Sequence, residues 1–124
     1  MNKLLNEIEI DNIKEFHLIA KEESDYEQVE KKFKLSENFI RNHHQNMDWA
    51  SISIYQKLSQ EFIREFQHKV NWCCISLYQE LSYKFIVSNI SKINIDNLYK
   101  NEKITLTLEE KKQIEKIISI KYMF

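Results

Sequence analysis

Residues 48–70 and 71–93 are two copies of one phrase set end to end without a gap. Asp48-Trp49-Ala50-Ser51-Ile52-Ser53-Ile54-Tyr55-Gln56-Lys57-Leu58-Ser59 stands over Asn71-Trp72-Cys73-Cys74-Ile75-Ser76-Leu77-Tyr78-Gln79-Glu80-Leu81-Ser82, and Phe62-Ile63 over Phe85-Ile86, a period of 23 residues. A fixed period of this size marks supersecondary units that bury their apolar faces only against their neighbours. The repeated residues are therefore scaffold first, and individuality lies in the positions that vary. Fainter copies flank the pair: Asp25-Tyr26, Val29, Leu35-Ser36 and Phe39-Ile40 before it, Asn94-Ile95, Leu98, Ile104-Thr105 and Leu108 after it. About four units follow over residues 25–117, the outer ones degenerate because an end unit turns a face to water. The 124 residues suffice for one domain, with residues 1–24 as an N-terminal cap and 118–124 as a C-terminal tail.

Within a unit the apolar residues form two helix-period stripes. Trp49, Ile52 and Gln56 make one, and Phe62, Ile63, Phe66 and Val70 make the other. Each stripe follows a capping residue: Asp25, Asp48 and Asn71 before the first helix, Ser36, Ser59 and Ser82 before the second. Leu58 and Leu81 occupy the outer half of a hydrophobic staple. The alternative, a leucine-rich-repeat strand, is disfavoured because the unit lacks the strand's period-two Leu-x-Leu and its Asn or Cys position. The expected fold is all-α, a short-helix solenoid of about four 23-residue helix-turn-helix units with helical N- and C-terminal caps. The first helix of each unit is expected to be two turns long and partly 3₁₀. Leu4, Leu5, Ile8, Ile13, Phe16 and Ile19 pattern the N-terminal cap; Thr107 and Glu110 open a C-terminal helix carrying Ile114, Ile117 and Ile118.

The phrase Asp/Asn-Trp-x-x-Ile-Ser-x-Tyr-Gln-x-Leu-Ser-x-x-Phe-Ile resembles a tandem repeat found in many uncharacterised proteins of bacteriophages, prophages and giant viruses. The likeness covers residues 25–93 well and the ends poorly. It implies a phage-like origin and a binding role, and a small phage protein of this kind fits an inhibitor of a host defence system.

Composition narrows the chemistry. Gly and Pro are absent, so turns fall to Asn, Asp, Ser and Lys, and the Gly-dependent phosphate loops and dinucleotide fingerprints are excluded. No run of 18 apolar residues and no signal-peptide pattern appears, which leads to the expectation of a soluble, cytoplasmic protein without a membrane partner, in the host-cell cytoplasm if phage-encoded. Cys73 and Cys74 stand where the preceding unit has Ala50 and Ser51 and read as small packed residues, without a disulfide. Charge is uneven: residues 1–30 carry nine acidic residues against Lys3, Lys14 and Lys21, whereas residues 31–124 carry fifteen basic against ten acidic.

No set of side chains reads as catalytic. His43, His44 and His68 lack a ligand spacing, the serines lack a partner histidine, and neither a metal nor a cofactor is expected. Gln56 and Gln79 recur at an inward slot and read as an amide ladder bonding turn carbonyls of adjacent units, Trp49 and Trp72 read as core, and Tyr55 with Tyr78 as an aromatic row. Two charged surfaces are candidates for binding. Arg41, His44, Arg64, His68, Lys69 and Lys92 form a basic strip on the second helices, and Glu22, Glu23, Asp25, Glu27 and Glu30 an acidic start. The leading reading is a non-enzymatic protein-interaction module, in its sharpest form a phage-encoded, anti-CRISPR-like inhibitor that binds a defence nuclease or its RNA-bound complex. Direct RNA binding is the alternative, and a homo-oligomerising structural repeat protein comes third.

Overall fold

The computed structural model describes residues 34–122 and the two-residue strand Glu9–Ile10. The rest of the expected N-terminal cap, the first helix of the first repeat, and Glu22, Glu23, Asp25, Glu27 and Glu30 lie outside the described residues, as do residues 123–124. Among the described residues the regular elements are helices, apart from one short parallel pairing of β1 (Glu9–Ile10) with β2 (Lys34–Leu35). Two compact units are distinguished, Met1–Asn71 and Trp72–Phe124.

In the first unit, α1 spans Glu37–Asn42, a 3₁₀ turn His44–Asn46, α2 Trp49–Tyr55 and α3 Gln60–Glu65. The cap pattern of the sequence holds here. Ser36 Oγ accepts from the Phe39 N–H at 3.0 Å and Ser59 Oγ from the Phe62 N–H at 3.1 Å, so each Ser-x-x-Phe phrase satisfies a free helix donor and seats a buried ring. The Asp48 carboxylate accepts from the Ala50 N–H and the Ser51 hydroxyl at 3.2 and 3.1 Å. Leu35, Phe39, Ile40, Ile52, Leu58, Phe62, Ile63 and Val70 form the core.

One expectation is corrected. The stripe Phe62, Ile63, Phe66, Val70 does not lie on a single helix, because α3 closes at Glu65 and Phe66 is its C-cap. The Lys69 and Val70 N–H groups both donate to the Phe66 carbonyl, at 2.9 and 3.0 Å, and this turn brings Val70 back to the core. The reason lies just downstream, where the Asn71 N–H donates to the buried Ser53 Oγ at 3.1 Å. A helix continued to Val70 would carry the chain about 7 Å further along its axis, away from that bond.

The second unit repeats the plan with α4 (Trp72–Tyr78), α5 (Tyr83–Ser88) and α6 (Ile95–Lys100), and adds α7 (Leu108–Tyr122). Ser82 Oγ caps α5 through the Phe85 N–H at 3.1 Å, and Asn94 Oδ1 caps α6 through the Asn97 N–H at 3.0 Å. Helices α4 and α6, the first helices of successive repeats, pack side by side. Ile75, Leu81, Phe85, Ile86, Ile93, Leu98 and Ile114 are buried. The repeat then gives way to the long α7, whose start is a capping box. The Thr107 N–H donates to Glu110 Oε1 at 2.9 Å, and the Glu110 N–H donates to Thr107 Oγ1 at 3.0 Å. Leu108, in register with the buried Phe62 and Phe85, is 70% exposed.

Candidate interaction surface

The repeated polar side chains join one repeat to the next. Ser53 Oγ accepts the Asn71 N–H, and Ser76 Oγ accepts the Asn94 N–H at 3.0 Å while donating to the Trp72 carbonyl at 2.6 Å. Both bonds reach forward 18 residues, from the middle of one first helix to the residue before the next. The amides reach backward. Gln56 Oε1 accepts from the Leu35 N–H at 2.7 Å. Asn101 meets turn carbonyls: its Nδ2 donates to Ser76 O and Gln79 O at 2.9 and 2.8 Å, and its Oδ1 accepts from the Lys103 N–H at 2.8 Å. Gln56, Gln79 and Asn101 are all buried, where a polar group has to be bonded. Asn101 escapes a reading at strict period because α6 has six residues where α4 has seven, so the C-cap arrives one position early.

The basic residues are placed differently from one another. Arg41 bridges α1 to α3: its Nε and Nη2 donate to Glu65 Oε2 and Oε1 at 2.8 and 3.0 Å, and its Nη1 donates to Asn38 Oδ1 at 2.7 Å. Its guanidinium also lies 5.6 Å from the centre of the Phe62 ring. The paired hydrogen bond from Arg41 holds the Glu65 carboxyl below its ordinary range, and the same bond raises Arg41. Arg41 thus brings a partner anion with it, 24 residues on in the sequence, one more than the period. His44 is half-buried, its ring centre 5.4 Å from that of Phe66, and its carbonyl accepts the Trp49 indole N–H at 3.0 Å. Among the described residues its Nδ1 is the buried side-chain nitrogen or oxygen that has no hydrogen-bond partner. Arg64, His68 and Lys69 are exposed, the first on α3 and the other two in the turn that follows it. In the second unit Lys92 is half-buried, with its ammonium 5.7 Å from the Trp72 ring centre. Of the six, Arg41 and Arg64 sit on second helices and the others in turns.

The aromatic residues divide into two groups. Trp49 stacks on Phe66 and Phe62 at 5.3 and 6.3 Å, and Trp72 stacks on Phe85 at 6.3 Å, each half-buried at the edge of its core. Tyr55, Tyr78 and Tyr99, at the ends of α2, α4 and α6, are 51%, 40% and 43% exposed. Tyr99 occupies in the 23-residue register the slot of the buried Ser53 and Ser76. Partial burial, and then the charge of Glu115, push its hydroxyl above the usual tyrosine range.

Other features complete the surface. Cys73 is exposed with its Sγ 3.7 Å from Asn94 Nδ2, and Cys74 is half-buried; both are unbridged. At the starts of α1 and α3 an open cleft of about 660 Å³ is rimmed by Lys34, Lys57 and Arg41. Within it the Glu37 carboxylate accepts the Ser59 N–H at 2.6 Å and the Ser59 hydroxyl at 2.9 Å. No group of three or more His, Cys, Asp or Glu among the described residues is placed to hold a metal ion, and none of the described helices is long and apolar enough to cross a membrane. No family model, curated protein or solved structure matches the chain.

Proposed function

We propose that the protein is a non-enzymatic protein-interaction module, a short-helix solenoid of about four 23-residue units that presents tyrosines at the ends of its first helices. The observation carrying this reading is how the repeated residues divide. Ser53, Ser76 and Gln56 are buried and bonded between repeats, whereas Tyr55 and Tyr78 are equally repeated yet lie open to solvent. Packing does not account for an exposed repeated ring. Tyrosine supplies a large amphipathic contact at low entropic cost and is enriched at the energetic centres of protein interfaces. A phage-encoded inhibitor docking on a defence nuclease is the partner relationship that the sequence resemblance suggests. The second reading, direct RNA binding, rests on the exposed Arg64, His68 and Lys69.

Affinity capture with the purified chain, with and without nuclease treatment, tests both. A protein partner that survives nuclease and is lost with Tyr55→Ala, Tyr78→Ala and Tyr99→Ala combined, at unchanged melting temperature, is the expected result. Loss of every partner with nuclease, reproduced by Arg64→Glu, His68→Glu and Lys69→Glu, would move the assignment to RNA. A nuclease-resistant partner indifferent to the tyrosines but lost on neutralising Glu22, Glu23, Asp25, Glu27 and Glu30 would place the contact on the acidic start instead.

A further inference from the structure

We draw no further inference here: the strongest candidate, the open cleft at the starts of α1 and α3, rests on the head of a six-residue helix whose Ser59 N–H is already bonded by Glu37, and nothing else in the cleft points to a ligand.

Discussion

A serine hydroxyl in this protein holds a piece of backbone that belongs to the next repeat. Ser76 is fully buried and stands between the Trp72 carbonyl and the Asn94 N–H, so removing its oxygen strands a donor where water does not replace it. Ser76→Ala should therefore cost about 1–3 kcal/mol, read as a fall in the urea midpoint at unchanged slope. A midpoint equal to the wild type would show that water reaches the Asn94 amide. The Arg41–Glu65 pair is different because it lies at the surface, where screening limits its worth. Glu65 is more acidic in the folded chain than in the unfolded one, so its contribution is present above the ordinary carboxylate range and is lost as pH falls through the folded value. The melting-temperature gap between wild type and Glu65→Gln should accordingly be widest at neutral pH and close in acid. A gap that grows on acidification would mean that the carboxylate opposes folding.

Six- and seven-residue helices do not persist alone in water, so α1 to α6 exist because their ends are capped and their apolar faces are covered. The three Ser-x-x-Phe starts are equivalent in geometry. Ser82 Oγ caps α5 and Ser59 Oγ caps α3, and the Ser59 N–H and hydroxyl also donate to the Glu37 carboxylate. Ser82→Ala should cost about 1 kcal/mol, the usual loss for a cap. Ser59→Ala removes a cap and the hydroxyl bond to Glu37 together and should cost at least about 1 kcal/mol; chemical denaturation measures both variants. A Ser59→Ala midpoint equal to the wild type would show that neither bond contributes to stability. Helix α7 needs no such help from another element, because Thr107 and Glu110 satisfy each other's backbone donors.

At the scale of the molecule, one bond recurs a 23-residue period apart, from the Asn71 N–H to Ser53 and from the Asn94 N–H to Ser76. In the same register Tyr99 stands where Ser53 and Ser76 accept, and a self-capped helix follows. A chain carrying residues 71–93 twice in succession should thus fold cooperatively, with more helical ellipticity and a melting temperature no lower than the parent, since stability in such arrays is close to a sum over units and their interfaces. A broad or lost melting transition would show that the copies are not interchangeable despite their likeness.

The period, the caps and the inward slots were legible from residue order alone. Ser36, Ser59, Ser82 and Asp48 cap as their spacing requires, and Ile52, Ile75, Phe62 and Phe85 are buried as their stripes require. Helical periodicity and capping act over three or four residues, so they are properties of the chain before it is folded. Tertiary structure decided the partners of the basic residues: Arg41 meets Glu65, and His44 packs on Phe66. It likewise ended α3 at Glu65 and brought Asn101 to the carbonyls of Ser76 and Gln79. Each of these depends on atoms about one period apart, where an offset of a single residue changes the partner and only the packed backbone sets the offset.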